Sequence, residues 1–288
     1  MKRSYLGYWF ISPWLVGFLA LTVLPFFISI YLSFCRYDVV SPPVFIGVQN
    51  YAELFSNDPL FWKSLQNTLL YAVFAVPLGI ATAFGLALLL NLELRGMSVY
   101  RTLFFLPHIV PTVATSVVFM WILNPQIGLM NSVLGLVGVA GPAWLSDPRW
   151  AMRTLILMSL WGVGGSVITY LAGLKDIPIS LYEAARSDGA GAFARALHIT
   201  LPMMTPVIFF NLIMGIIGAF QYFTQAYIMT QGGPQDSTLF YALYLFYRSW
   251  RYLDMGYASA MAWILFVVVT LTTLVVFKTH RKWVHYGD

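Results

Sequence analysis

Six long apolar runs constrain this chain more than any other feature. They cover residues 8–34, 68–90, 103–123, 154–174, 203–230 and 256–277. About 20 apolar residues suffice for a helix to cross the hydrocarbon core of a bilayer. Inside that core no water bonds the backbone, so each run must be helical. Only 9% of the residues are charged, against about a quarter in a soluble domain. The expectation is an all-α integral membrane protein with six transmembrane helices. The first run is longer than a signal-peptide core and lacks a small-residue cleavage site, so it reads as a retained span. Pro25, Pro77 and Pro111 fall within spans and should kink them, or sit where a neighbour bonds the freed backbone. A lone Cys35 leaves no partner for an intrachain disulfide and no cysteine-rich metal site.

Six spans put both termini on one side. Lys2, Arg3, Arg95, Arg101, Lys175, Arg186, Arg195, Lys278, Arg281 and Lys282 then share that side, and the other six basic residues share the opposite one. The positive-inside rule places the termini in the cytoplasm. The net charge of +5 is scattered rather than clustered, which suits anionic lipid and gives no footprint for nucleic acid.

Between the fourth and fifth spans lies the most structured polar stretch, 178–206. Ser180 with Glu183 three residues later forms a capping-box pattern, predicting a helix from near Leu181. Asp188-Gly189 should end it in a left-handed turn. A second short helix is expected over 192–199, with Pro202 and Pro206 opening the next span. The product is a helix-turn-helix knob with small residues at its tight points.

The other polar stretches are plainer. Residues 35–66 read as an interfacial segment with Tyr51, Phe55, Phe61 and Trp62 as membrane-belt residues. Arg101 should snorkel to the inner surface. His108, the one ionisable group found within a span, should be a hydrogen-bonded packing residue. A short surface helix is expected over 129–139. Gly232-Gly233-Pro234 is a turn signal, followed by the aromatic stretch 241–252, which a membrane-interface belt would explain.

A passage for a polar solute needs polar or small residues inside the spans. The fourth offers Ser159, Trp161, Gly162 and Ser166; the fifth offers Asn211, Gln221, Tyr222 and Gln225. Buried amides in lipid face a cavity or another helix. Hydroxyls and amides suit sugar hydroxyls, and an aromatic face suits the sugar's C–H side. Helix–helix glue explains the same residues without a substrate.

The motif Glu183-Ala184-Ala185, Gly189, Ile199, Leu201-Pro202 resembles, without a gap, the signature loop of permease subunits of type I ABC importers. Four further motifs resemble carbohydrate-uptake members: Phe45-Ile46-Gly47 through Asn67-Thr68, Tyr100 through Pro107, Asn124 through Pro148, and Gly232-Gly233-Pro234 with 241–252. The resemblance covers about 8–277 and implies the type I importer transmembrane fold with a cytoplasmic coupling-helix loop. It divides the chain into a first helix with its outer segment (1–66), a type-1 core (67–278) and a cytoplasmic tail (279–288).

The same resemblance implies ATPase-coupling roles for Glu183, Ala184, Ala185, Asp188, Gly189, Ala190, Ile199, Leu201 and Pro202. It implies a second, different permease subunit, two cytoplasmic ATP-binding subunits, an extracytoplasmic solute-binding protein docking on the outer loops, and a place in the cell (inner) membrane. Two departures stand out. Ala194 and Ala196 replace the usual glutamine and aromatic of the second coupling helix, and Gly215 and Ala219 replace polar positions in span five.

No phosphate-cradling G-x-x-x-x-G-K-[ST] loop is present, so ATP hydrolysis belongs on a partner chain. The expected function is translocation of a sugar or polyol, with a glycerol-phosphate compound as the alternative substrate and no cofactor. A secondary transporter would need an ion or proton site, usually an acidic or basic group inside a span, and no Asp, Glu, Lys or Arg is found in the interior of any span. An intramembrane enzyme would need a metal cluster or an activated nucleophile; the four histidines are dispersed, with no metal-binding pair.

Overall fold

The computed structural model describes residues 6–92 and 94–285. Lys2 and Arg3 of the charge count lie outside those residues, as does the end of the expected tail. Four helical spans are long and apolar enough to cross a membrane: Tyr8–Ser33, Pro59–Leu90, Thr205–Met229 and Met255–Lys282. Two bent pairs, Met97–Ile109 with Thr112–Ile122 and Pro148–Gly162 with Gly164–Lys175, bring the number to six when each pair is taken as one span. The chain forms two compact units, each assembled from separated segments.

The first unit joins the described residues through Trp62 to Tyr244–Val268. Its opening span is α1 (Leu6–Phe18), a widened π turn over Leu19–Val23, and α2 (Leu24–Ser33). The Leu24 N–H reaches back five residues to the Leu19 carbonyl, just ahead of Pro25, which has no N–H to give. A short ribbon follows, with β1 (Cys35–Arg36) antiparallel to β2 (Val44–Phe45). Next comes α3 (Gln49–Ser56). Asn50 Nδ2 donates to the Ser33 and Cys35 carbonyls, both at 2.9 Å, and the Tyr51 hydroxyl donates to Ser33 Oγ. The bond to Ser33 satisfies an orphan carbonyl at the end of α2, and the other two tie α3 to β1 and to the Ser33 side chain.

Two expectations for this segment are corrected. Phe61 is not a belt residue: it is fully buried, against Phe55 and Trp62. The second span starts at Pro59 rather than at residue 68, because Asp58 caps it. Asp58 Oδ1 accepts from the N–H groups of Leu60 (2.9 Å) and Phe61 (3.1 Å), and Pro59 sits at the first helical position. Its other oxygen accepts from the Tyr244 and Tyr257 hydroxyls at 2.5 Å and from Arg248 Nη2 at 3.1 Å. Tyr244 belongs to α15 (Tyr241–Phe246), and Tyr257 to α16 (Met255–Thr279). Tyr241 and Tyr244 are buried, so the aromatic stretch there is core rather than a surface belt. Trp250 is exposed.

The second unit takes Lys63–Leu243 and the described residues from Val269 on. The helix begun at Pro59, α4 (Pro59–Leu90), runs through Pro77 without interruption. Asn67 donates to the Asp236 and Leu239 carbonyls, and Thr68 Oγ1 accepts from the Tyr241 N–H. The third span, expected to be one helix with a kink, is α5 (Met97–Ile109) and α6 (Thr112–Ile122), bent by 96°. The break falls at Val110-Pro111: Val110 is extended (φ −66°, ψ 130°), as the residue before a proline prefers. The expected surface helix is present as α7 (Leu129–Leu136).

The fourth span starts earlier than expected, with α8 (Pro148–Ser159), because Asp147 accepts from the Arg149 N–H as its cap. It bends by 48° through a tight turn, Leu160–Gly162, into α9 (Gly164–Lys175). Helices α5 and α9 run antiparallel and touch closely. A Cβ on Gly164 would sit 2.6 Å from the Phe104 carbonyl oxygen, and one on Gly165 would sit 2.8 Å from the His108 ring. Small residues at such crossings let backbones approach. His108 packs there as expected, but with no hydrogen bond to a described residue.

Candidate functional site

The stretch after α9 folds as two short helices. The first, α10 (Ile179–Ser187), differs at its start from the expected capping box. Its N-cap is Pro178, without a side-chain hydrogen bond, and Ser180 lies inside the helix. Proline presets the backbone of the entry, so the helix begins two residues before Leu181. The Glu183 carboxylate therefore does not cap its own helix; it is exposed. The stop is as expected. Gly189 takes φ +80°, its N–H bonds the Arg186 carbonyl at 3.0 Å, and the Ala190 N–H bonds the Ala185 carbonyl at 2.8 Å. That pair of bonds is the Schellman closure. An added Cβ at Gly189 would meet nothing within 4 Å, so the backbone angle, and not space within the chain, selects glycine.

The second helix begins at Ala192, as expected, but does not stop at 199. It runs as α11 (Ala192–Arg195), a π turn over Ala196–Thr200 and α12 (Leu201–Met203), up to the break before α13 (Thr205–Phe220). The Leu201 N–H reaches back to the Ala196 carbonyl immediately before Pro202, the arrangement already seen ahead of Pro25. Thr205 Oγ1 donates to the Pro202 carbonyl at 2.6 Å, supplying the bond that Pro206 cannot. The knob is anchored from beneath. Tyr182 and Ile199 lie on a buried cluster of Ala87, Leu90, Tyr170, Leu174 and Met204, and the Tyr182 hydroxyl is 2.9 Å from Thr200 Oγ1.

Above that anchor the knob is open. Glu183, Ala184, Asp188 and Gly189 are exposed, Ala185, Ala190 and Pro202 are half-buried, and Leu201 is at the exposed margin. Sequence reasoning overlooked Phe193, whose ring is 82% exposed at the start of α11. It directly precedes Ala194, the first of the two departures in this helix.

A second feature is a cavity of about 590 Å³. It is lined by seven of the eight residues expected along a passage: Ser159, Trp161, Gly162, Ser166, Asn211, Tyr222 and Gln225. Gln221 is not among the lining residues; it is exposed at the end of α13. Three helix interruptions meet at this cavity. Pro107 to Thr112 carries the α5–α6 break, Trp161 and Gly162 the α8–α9 bend, and Gly218 to Gln225 the gap between α13 and α14 (Thr224–Met229). Irregular backbone at membrane depth is tolerated where it lines a cavity.

The lining mixes polar and apolar side chains, includes the His108 ring, and carries no Asp, Glu, Lys or Arg among the described residues. Asn211 Nδ2 donates to the Val207 carbonyl at 2.9 Å, leaving its oxygen as an acceptor. The Tyr222 hydroxyl is buried, and its ring packs on that of Tyr71 with centroids 4.3 Å apart. The Trp161 ring is half-exposed, edge-on to Phe119. Sequence reasoning missed the contribution of α4: Tyr71 and Gly79 line the same space, although their run reads as uniformly apolar.

Over residues 75–283 the chain matches the family described as binding-protein-dependent transport system inner membrane component. It is also 47% identical over 289 residues to the probable ABC transporter permease protein YesP of Bacillus subtilis, covering 99% of this chain and 93% of that protein.

The chain belongs to this permease family.

The permease is 37% identical to the sulfoquinovosyl glycerol transport system permease protein SmoG of Agrobacterium fabrum, over 88% of this chain and 82% of that one. Its fold matches a chain of a bacterial ABC transporter involved in import of the acidic polysaccharide alginate. The TM-score is 0.85 at 24% identity, covering 98% of the permease and 96% of that chain. The all-α transmembrane fold of a type I importer is thereby shown, and the permease is a multi-pass membrane protein and a transport subunit rather than a catalyst.

Proposed function

We propose that the permease carries a neutral sugar or polyol across the inner membrane through the 590 Å³ cavity, driven by ATP hydrolysis on partner chains. The observation that carries this is the meeting of three helix interruptions at one cavity where hydroxyl, amide and indole groups and the His108 ring stand among apolar side chains, with no Asp, Glu, Lys or Arg among the described lining residues. Ser159, Ser166, Asn211 and Gln225 supply hydroxyl and amide groups of the kind that sugar hydroxyls bond. The sulfoquinovosyl glycerol permease among its relatives supports a carbohydrate substrate. A glycerol-phosphate compound is disfavoured, because phosphate recognition calls for Arg or Lys and none lines the cavity.

In this reading the knob seats in a cleft of a cytoplasmic ATPase. Phe193 supplies an apolar anchor and Glu183 an exposed charge for a basic partner. The termini face the cytoplasm, and the core spans 67–278. A second permease subunit, most simply a different chain, completes the passage, and a solute-binding protein docks on the outer loops. The family's binding-protein dependence supports that last partner.

Expression with the neighbouring open reading frames and purification in mild detergent tests the coupling. An ATPase should co-purify with the native chain and be lost, or uncoupled from uptake, with Gly189→Asp and with Phe193→Ala. Uptake and co-purification unchanged in both variants would remove the coupling role.

A further inference from the structure

Helices α5 and α9 enclose a second cavity, of about 480 Å³, separate in its lining from the first apart from the helices they share. Its two ends differ chemically. Arg101 and Lys175 line one end together with the Thr102 hydroxyl, and Phe105, Ile168 and Leu171 line the rest. The antiparallel packing fixes this polarity: Lys175 ends α9 beside the first turns of α5, and Gly164, about 16 Å away along the helix, lies against Phe104 and His108.

The cations are placed, not diffuse. Arg101 donates from Nε (3.0 Å) and Nη2 (2.8 Å) to the Leu90 carbonyl at the end of α4, which holds the guanidinium at the mouth. Neither Nη1 nor the Lys175 ammonium has a carboxylate within ion-pair distance among the described residues. Two unpaired cations beside a hydroxyl ask for an anion with several acceptor oxygens. The apolar trough running away from them asks for a hydrocarbon chain. The size is that of a ligand site rather than a packing defect.

We propose that this groove is a binding site for an anionic phospholipid. Its phosphate lies between Arg101 and Lys175, with Thr102 as a further donor. One acyl chain runs between α5 and α9 over Ile168 and Phe105. Charge complementarity selects this occupant over a neutral lipid, and the apolar trough selects a lipid over free phosphate. Because α5 and α9 also wall the candidate passage, a lipid here bears on the packing of two helices that bend at it.

The test is a titration of the delipidated full-length permease, with the chains that co-purify, read by native mass spectrometry. Phosphatidylglycerol should bind more tightly than phosphatidylcholine by about fivefold or more, the scale of one cation at an anionic surface. Lys175→Gln should bring the two lipids close to parity, and Lys175→Arg should retain the preference. Ile168→Trp, which fills the trough without altering charge, should weaken both lipids. Inorganic phosphate at the same concentration should displace neither. Equal binding of the two lipids to the native chain would overturn the proposal, as would a preference that survives Lys175→Gln or full displacement by inorganic phosphate. So would cross-linking of Ile168→Cys to a partner chain with no lipid retained.

Discussion

Asp58 shows how much one side chain can organise. It caps α4 with one oxygen and gathers Tyr244, Tyr257 and Arg248 with the other. Burial works against its charge, but the two hydroxyls, the Phe61 N–H and the guanidinium outweigh it and hold the carboxyl below its ordinary value of 3.8. A carboxyl depressed in the folded state contributes stability that is full above its unfolded pKa and is lost as pH falls through the folded one. The cluster should therefore weaken only below about pH 4. Asp58→Ala should cost about 3 kcal/mol, the scale of breaking a buried ion pair from one side. It should also flatten the acid limb of a thermal-unfolding series in detergent; an unaltered acid limb would show that the cluster does not titrate with folding. Gly189 acts through a different property, its backbone angle. Asparagine tolerates that left-handed region far better than a bulky residue does, so Gly189→Asn should fold like the native chain and report on the docking surface alone.

At the scale of elements, breaks matter more than lengths. Each span that lines the cavity from α5 to α14 is interrupted where it does so, and the causes are local: Pro111 after an extended Val110, a tight turn at Leu160–Gly162, and a non-helical Phe223 (φ −135°, ψ −60°). The walls are held by close crossings, α5 against α9 above all. Gly164→Val would press its side chain into the Phe104 carbonyl at 2.6 Å from the new Cβ. Backbone cannot yield as a flexible side chain can, so the substitution should cost about 1–3 kcal/mol and separate the two helices. A lowered unfolding midpoint in detergent, with expression preserved, is the expected result. Gly218→Ala, where an added Cβ meets nothing within 4 Å, is the matched control and should leave the midpoint within about 0.5 kcal/mol.

For the whole molecule, the cavity and the knob belong to the same compact unit. The buried cluster beneath Tyr182 and Ile199 joins them through α9 and the end of α4. Motion imposed on the knob thus has a packed route to helices that line the cavity. Substitutions at the two ends should separate. Trp161→Ala removes the aromatic surface of the cavity and should lower sugar uptake at least about tenfold, the scale of one lost aromatic contact of ~1.5 kcal/mol. It should leave co-purification of the ATPase unchanged. Uptake within about twofold of native would remove Trp161 from the passage.

The sequence alone determined the class of this protein. Apolar runs of bilayer length force helices because lipid offers the backbone no other partner, and an ungapped motif in 178–206 marks the family. It also located the turn at Gly189, because a left-handed stop is a local property. What it left open is set by contacts between distant residues. Asp58 meets Tyr257 across 199 positions, and Phe61 is buried rather than at the interface because the elements around it close over it. Tyr71 faces a cavity although its own run is apolar, since which side of a span meets polar neighbours depends on how the other helices bend. Local chemistry fixed where the chain turns and crosses, and tertiary packing decided which of its polar groups share one space.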